Sequence, residues 1–184
     1  SELRDYLNLA LAENRPWDVM FRELVSGDES DDARKGSAQF LKSRIGDLDR
    51  LANETSVLFF GVNVTCAKCH DHPLVDAWTQ DHFYGMASFF SRTFENGGFI
   101  GEHDYGRINY TTVYGENRTA QLMFLTGTVL EEPQVEEPKD DAKKQEKEFL
   151  EKLKKDKQPV PPPAFSRRAQ LIDVALREDQ RDYF

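Results

Sequence analysis

The chain has 184 residues, a formal net charge of −9 and a hydrophobic content of 39%. This length allows one sizeable core, and the negative charge argues against binding to nucleic acid or anionic membranes, which requires a basic surface. No apolar run approaches the about 20 residues that span a bilayer, and residues 1–25 lack a signal-peptide pattern. We therefore expect one compact domain with an appendage, from the middle of a longer exported protein.

Apolar residues at helical spacing predict three helices in the first third of the chain. They span about residues 3–11, 17–25 and 47–62. Gly27 and Gly61 stand where the second and third patterns stop, as helix-ending glycines do. Residues 27–37 carry turn formers and charges without periodicity, which predicts a solvated loop.

Both cysteines and two of the four histidines lie in one stretch, Cys66-Ala67-Lys68-Cys69-His70-Asp71-His72. The spacing Cys-x-x-Cys-His is that of covalent c-type haem attachment, in which two thiols three positions apart join the vinyl groups of one haem. The adjacent His70 is then the proximal ligand of the iron. The stretch predicts haem c held by Cys66 and Cys69.

Three other interpretations of this stretch stay open. A Cys-x-x-Cys redox pair usually follows a strand in a thioredoxin-like unit, and no βαβ pattern surrounds this one. A structural zinc site could be drawn from Cys66, Cys69, His70 and His72, although tetrahedral zinc usually takes its second ligand pair from a distant segment. The third is a plain disulfide in an exported protein.

A fourth helix is predicted from an N-cap at Thr79 to about Phe94, after a turn at Pro73. Together with the end of the third helix, it is expected to cover the apolar faces of the haem. The expected pocket residues are Phe59, Phe83 and Phe90.

The sixth position of the iron has several candidate ligands. Met86 and His82 lie one turn apart on the fourth helix, and Met/His ligation would suit electron transfer. His72 is either a hydrogen-bond partner on the proximal side or an alternative distal ligand. His103 and Met123 lie farther along and could fold back. An open sixth position would instead imply small-ligand binding or redox catalysis.

The hydrophobic period changes after the fourth helix. Alternating residues on both sides of a Gly115-Glu116-Asn117 turn predict a β-hairpin between Gly97 and Gly127, as scaffold or lid. Residues 131–157 hold 18 charged residues in 27, which predicts a mobile, solvent-exposed helix at about 140–155, or a docking arm.

Prolines from Pro159 to Pro163 predict an extended spacer, and a last helix is predicted from Arg168 to Arg177. The predicted fold is mainly α, a small helical c-type cytochrome-like domain with a β-hairpin and a charged, Pro-rich insertion. The expected domains are a haem-binding domain at 1–130, an insertion or linker at 131–163, and a C-terminal helix at 164–184 leading toward a following domain.

The motif and its flanks resemble a known family. The runs Phe59-Phe60-Gly61-Val62, Cys66 to Pro73, Trp78-Thr79-Gln80-Asp81, and Phe83 to Phe90 are similar to the planctomycete cytochrome-like domain PSCyt2, or DUF1549. Residues 123–127 and 168–184 resemble its junction with the PSD1 domain, or DUF1553. The resemblance implies a c-type haem in large exported multidomain bacterial proteins. His82 departs from the aromatic residue expected after Asp81.

These observations predict an electron-transfer domain with one haem, periplasmic or otherwise exported. Its expected partner is a basic redox protein or an adjacent domain, with no nucleic acid and no membrane span in this chain. Whether it is an enzyme stays open, because no acid/base pair stands out from the charged background. The alternatives are a ligand-binding or redox-catalytic haem domain and a haem-free, disulfide-stapled interaction module.

Overall fold

The computed structural model of the chain describes residues 1–72, 75 and 77–184, which form a mainly α fold with short antiparallel strand pairs. The helices are α1 (Glu2–Ala12), α2 (Trp17–Ser26), α3 (Gln39–Lys42), α4 (Leu48–Phe60), α5 (Gln80–Ser88), α6 (Asp140–Lys155) and α7 (Arg167–Ala175). The strands are β1 (Thr93–Asn96), β2 (Phe99–Glu102), β3 (Asn109–Thr111), β4 (Asn117–Thr119), β5 (Leu122–Met123) and β6 (Val129–Leu130). Short 3-10 helices span Asp32–Arg34, Thr65–Lys68 and Glu178–Tyr183. The predicted mainly α fold with a β-hairpin is confirmed.

The chain forms two compact units, each assembled from three separate segments. The first unit contains residues 1–46, 93–105 and 134–166, and the second contains residues 47–92, 106–133 and 167–184. The stretch with both cysteines belongs to the second unit. The domain bounds predicted from the sequence, at 130 and 163, stay a prediction. In the described part of the chain, no helix has the length and apolar character needed to cross a bilayer.

The early helices end where the sequence indicates. Gly27 ends α2 and Gly61 ends α4, both in the left-handed conformation with φ of 63° and 67°. Asp47 caps the start of α4, since its side chain accepts a hydrogen bond from the Arg50 amide at 3.0 Å. These helix ends confirm the prediction for the second and third helices.

The fourth helix is shorter than predicted. α5 follows the expected N-cap Thr79, but it ends at Ser88 instead of continuing to about Phe94. Phe94 lies in β1, which pairs with β2 around the two-residue turn Gly97-Gly98, with φ of 62° and 94°. Paired glycines at positive φ suit such a tight turn. The helical spacing of Phe94 with the preceding apolar residues hides this hairpin in the sequence.

The region around the predicted loop at 27–37 contains additional short elements. A 3-10 turn spans Asp32–Arg34, and α3 follows at Gln39–Lys42. α3 was not expected, because four residues are too few to show a helical period. Its Phe40 and Leu41 are 3% and 0% exposed, so it contributes to the core of the first unit.

The charged segment forms its predicted helix, and one face of that helix is packed. Asn96 of β1 donates from Nδ2 to the Leu150 carbonyl at 2.9 Å. Glu146 accepts a hydrogen bond from the Tyr105 hydroxyl at 2.6 Å, and its other oxygen lies 2.8 Å from Nδ1 of His103. These contacts tie α6 to the β1–β2 hairpin and the residues after it. The mobility expected for residues 131–157 stays a prediction.

The predicted hairpin is present as β3 and β4. Its register pairs Asn109 with Thr119 and Thr111 with Asn117. Leu122, which was expected on its second strand, instead lies in β5, paired with β6. The predicted last helix is α7, which begins at Arg167.

Replacing Gly36 with alanine is expected to lower the free energy of unfolding by about 2–4 kcal/mol, from backbone strain and overpacking together. Gly36 has a φ of +90°, and a Cβ there would lie 2.3 Å from the carbonyl oxygen of Glu2. The matched control is Gly98, whose φ is +94° but whose Cβ would have nothing within 4 Å. Gly98→Ala should therefore cost only about 1–2 kcal/mol. Urea denaturation measures both, and equal losses would contradict the contact between Gly36 and Glu2.

Candidate functional site

The cysteine stretch begins where the chain folds back against α4. The Val62 amide donates to the Ser56 carbonyl at 3.1 Å, and the Val64 amide donates to Oδ1 of Asn53 at 3.1 Å. Val62 and Val64 are 7% and 0% exposed. The chain therefore enters the 3-10 helix Thr65–Lys68 from a segment held against α4 by hydrogen bonds and buried side chains.

Both thiols are free and exposed to solvent. The Cys69 amide donates to the Cys66 carbonyl at 3.4 Å, which closes a single turn between them. Ala67, between the two cysteines, is completely buried. The turn therefore packs its Ala67 side into the core, while Cys66 and Cys69 remain accessible to a group that binds from solvent.

His70 is exposed next to the thiols and has a defined tautomer. Its Nδ1 lies 2.6 Å from the Asp71 carbonyl oxygen, which can only accept a hydrogen bond. Nδ1 is therefore assigned the hydrogen, and Nε2 of the neutral ring keeps its lone pair. This is the tautomer that binds a metal through Nε2, and the carbonyl contact makes the ring a better ligand.

Lys68 ties the turn to two other elements of the second unit. Its Nζ forms an ion pair with Oδ2 of Asp49 on α4, and this hydrogen bond raises the pKa of Lys68. Its carbonyl accepts a hydrogen bond from Nε2 of Gln80, the first residue of α5, at 2.9 Å. The stretch is thus held from both neighbouring helices.

The three aromatic residues predicted to line a haem pocket lie in the hydrophobic core. Phe59, Phe83 and Phe90 are 5%, 1% and 1% exposed. A polar cleft of about 280 Å³ in the same unit is lined by Asp81, Arg118, Thr119, Gln121 and Met123, and by none of these three phenylalanines. The donor set fits covalent haem attachment in its chemistry, since two free thiols and the exposed imidazole of His70 lie within five consecutive residues. Contacts between the predicted aromatic walls and a haem stay a prediction.

The two leading candidates for the distal iron ligand are buried, unlike the exposed residues of the cysteine turn. Met86 is fully buried. His82 is 9% exposed, and its Nδ1 accepts a hydrogen bond from the Thr79 amide at 3.2 Å in a reciprocal capping box at the start of α5. Both side chains therefore have roles in packing or capping α5. Neither is presented to solvent as His70 is.

The other candidate iron ligands also have local contacts. The His72 ring packs edge-to-face on Trp78 with their centroids 5.3 Å apart. Met123 lies in β5 and packs closely against α5, since a Cβ added to Gly85 would lie only 2.6 Å from the Met123 Cβ. His103 belongs to the first unit, where Nδ1 contacts Glu146. Ligation of iron by any of these residues stays a prediction.

The four residues of the zinc interpretation do not form an assembled ligand set. Across residues 1–72, 75 and 77–184, no three His, Cys, Asp or Glu side chains are grouped so that they could hold a metal ion. Cys66, Cys69, His70 and His72 are thus close in sequence without forming a tetrahedral site. A haem that takes one histidine and two thioethers from the protein does not need such a cluster.

A pair of stacked tyrosines lies beside the site and was missed by sequence reasoning. The rings of Tyr84 on α5 and Tyr110 on β3 are 3.9 Å apart and inclined by 18°. Burial raises the pKa of both hydroxyls, and the Tyr110 hydroxyl also donates to Asp81. Residues so distant in sequence carry no local signal of their contact. Only the alternation of the β3 residues indicated which face of the strand Tyr110 occupies.

Burial lowers the pKa of His82, and the negative charge of Asp81 opposes this effect in part. The unfolded chain therefore binds a proton at higher pH than the folded chain. The stabilising contribution of neutral His82 is complete above about pH 6.5 and is lost as the pH falls from there through the folded-state pKa.

His82→Gln is accordingly expected to flatten the dependence of stability on pH. The slope due to His82 is at most about 1.4 kcal/mol per pH unit. Glutamine keeps the Thr-x-x-Gln capping box and does not titrate. Denaturant unfolding of both proteins at intervals from about pH 7.5 to about pH 5 provides the test. Parallel curves for the two proteins would contradict it.

A family model described as PSCyt2, protein of unknown function (DUF1549), matches residues 1–95. This match covers slightly more than half of the 184 residues and includes the whole Cys66–His72 stretch. Comparisons with curated proteins and with solved structures gave no match.

Proposed function

The chain belongs to the PSCyt2 family (DUF1549), and on that premise we propose that it is a c-type cytochrome domain with one covalently attached haem. Its role is electron transfer within an exported bacterial protein. The observation that carries the proposal is the turn itself. Two free thiols, one turn apart, lie exposed beside a histidine whose Nε2 has an available lone pair.

Each residue of the turn has a separate task in this proposal. Cys66 and Cys69 would hold the haem as thioethers, each thiol adding its sulfur to one vinyl carbon and its hydrogen to the other. His70 would bind iron through Nε2, while the Asp71 carbonyl keeps the ring in the required tautomer and orientation. The haem would supply reversible one-electron exchange at its iron.

The charge of the chain supports the type of partner proposed. A net charge of −9 favours encounter with a basic redox protein or a basic surface of an adjacent domain, at rates that fall with salt. Covalent haem attachment through this motif also supports a periplasmic or otherwise exported location.

A second candidate function is ligand binding or redox catalysis at an iron with an open sixth position. The burial of Met86 and the capping contact of His82 favour this alternative, because both side chains already serve α5. Electron transfer requires an iron whose ligands change little between oxidation states, whereas an open position admits small molecules.

The experiment that tests the proposal is an intact mass combined with oxidised and reduced absorption spectra. The protein is produced in a periplasm with active haem attachment. We expect a mass gain of one haem and sharp reduced bands of a six-coordinate iron, with little response to carbon monoxide. Broad high-spin bands and ready carbon monoxide binding would support the second candidate.

Histidine variants complete this test. His70→Ala is expected to abolish the low-spin spectrum. His72→Ala should retain it where His72 is only a hydrogen-bond partner, and its loss would identify His72 as the distal ligand. A wild-type protein without added mass would overturn the proposal. If that protein were also lighter by two hydrogens, a disulfide would join Cys66 and Cys69 instead.

A further inference from the structure

The peptide group between Lys68 and Cys69 is fixed at both of its polar atoms. Its N–H donates to the Cys66 carbonyl at 3.4 Å, which closes the turn between the thiols. Its C=O accepts a hydrogen bond from Nε2 of Gln80 at 2.9 Å. The orientation of this one peptide plane determines where Cys69 lies relative to Cys66, because the plane cannot rotate without breaking one bond or the other.

Gln80 is suited to hold that peptide in place. It is 7% exposed, and its side-chain oxygen accepts a hydrogen bond from the Val113 amide at 2.9 Å. The amide group of one side chain thus links the cysteine turn to the loop between β3 and β4. A buried amide with both ends bonded has one favourable orientation, since reversing it would place two acceptors against each other and two donors against each other.

We infer that Gln80 is a positioning residue that keeps the Cys66–Cys69 turn closed, with both thiols presented on the same turn for haem. The purpose assigned to this turn rests on the proposed function. The two hydrogen bonds of the Gln80 side chain, to Lys68 and Val113, are called the clamp below, and they are present in the chain without haem. Ala67, buried in the core, and Lys68, paired with Asp49, anchor the side chains of the turn. Gln80 is the residue that anchors the peptide linking Lys68 to Cys69.

The clamp is measurable through the equilibrium between the free thiols and a disulfide. A closed turn brings the two Cα atoms within about 7 Å, close to the range that a disulfide spans. In a glutathione buffer, Cys66 and Cys69 form one sulfur–sulfur bond while one glutathione disulfide is reduced to two glutathione thiols. The equilibrium constant of this exchange reports how well the turn holds the thiols together.

Two variants and one control test the inference in haem-free protein. Gln80→Glu keeps an acceptor for Val113 but places an oxygen against the Lys68 carbonyl. Gln80→Met has similar length and removes both hydrogen bonds. Each is expected to lower the equilibrium constant for disulfide formation by roughly 2- to 10-fold, which corresponds to the net free energy of one hydrogen bond. Gln145→Glu, the same chemical change at an exposed position of α6, should leave it unchanged.

A merely structural role for Gln80 would lower the melting temperature without changing the dithiol equilibrium. Folded Gln80 variants with the wild-type equilibrium constant would therefore overturn the inference. Hydrogen exchange of the wild-type Cys69 amide provides a test that needs no variant. The amide should exchange roughly 2- to 10-fold more slowly than in an unstructured chain, and exchange at the unstructured rate would also overturn it.

The proposed function is assessed separately, by the mass of wild-type protein matured with haem. Wild type without haem would contradict the proposed function and leave the dithiol comparison valid as a test of the clamp. If wild type carries haem but the Gln80 variants keep the wild-type dithiol equilibrium, the proposed function stands. The positioning role of Gln80 would then be rejected.

Discussion

A chain in which both Cys66 and Cys69 are replaced by serine is expected to carry no covalently bound haem after production in a periplasm with active haem attachment. The chain has two cysteines in all, so no other thiol can form a thioether. Wild-type protein should keep its haem through denaturation, whereas any haem taken up by the double variant should separate from the chain. Intact mass and the absorbance of the denatured protein measure this difference.

The single variants provide the graded control. Cys66→Ser and Cys69→Ser each retain one thiol and should hold at most one thioether. Serine at these exposed positions should change the stability of the haem-free fold by less than about 0.5 kcal/mol. Loss of haem would then reflect the missing sulfur and not a missing fold. A double variant that retained haem after denaturation would contradict the assigned attachment site.

Replacing Arg167 with methionine is expected to lower the free energy of unfolding of the second unit by about 3–5 kcal/mol. The Arg167 side chain is 1% exposed and forms two hydrogen bonds with Glu132, at 2.9 Å and 2.7 Å. Its Nη1 also donates to the Ser88 carbonyl at 3.1 Å and to Oγ of Ser91 at 2.9 Å. The variant would leave the carboxylate and the end of α5 without these donors.

Two further proteins determine how much of the loss comes from the ion pair with Glu132, whose carboxylate also pairs with Arg92 at 3.3 Å. Arg167→Met combined with Glu132→Leu should recover none of the stability, because the second change also removes the ion pair between Glu132 and the buried Arg92. Arg177→Met removes an arginine that pairs with Asp179 at the surface, and it should leave the melting temperature within error of wild type. Urea unfolding measures all three variants. A loss for Arg167→Met no larger than for Arg177→Met would contradict the role of this cluster.

The helices were predictable from sequence because their signals are local. In α4, Asp47 caps the first turn and Gly61 adopts the left-handed conformation at the end, and both residues lie next to the apolar pattern that they bound. Thr79 marked the start of α5 in the same way. α6 was predictable from its spacing as well, although the packing of Glu146 against Tyr105 depends on residues about 40 positions away.

The parts that were not predicted depend on contacts between distant residues or on competition between two patterns. Phe94 continues a helical spacing, yet the Gly97-Gly98 turn directs it into a strand. Arg167 shows nothing in sequence that distinguishes it from an exposed arginine, since its partner Glu132 is 35 residues away. Charge and length alone would place it at the surface.

The reacting groups of the candidate site were predictable from sequence, but the hydrogen bonds that hold them in place were not. The spacing of Cys66, Cys69 and His70 determines which atoms are available for attachment, and the structure presents them on one exposed turn. No sequence rule connects Gln80 to Lys68 and Val113, because those bonds arise only after α5 and the β3–β4 loop pack together. A motif can thus specify the reacting groups while the fold determines how firmly they are held.

The interleaving of the two units has a consequence for synthesis on the ribosome. The three segments of one unit alternate along the chain with the three segments of the other, so neither unit is contiguous. A nascent chain that has emerged only to residue 133 has the β1–β2 hairpin but lacks α6, and it has Glu132 but lacks Arg167. The first unit needs the chain to residue 166 and the second needs its segment 167–184, so a polypeptide released before residue 166 would have neither unit complete.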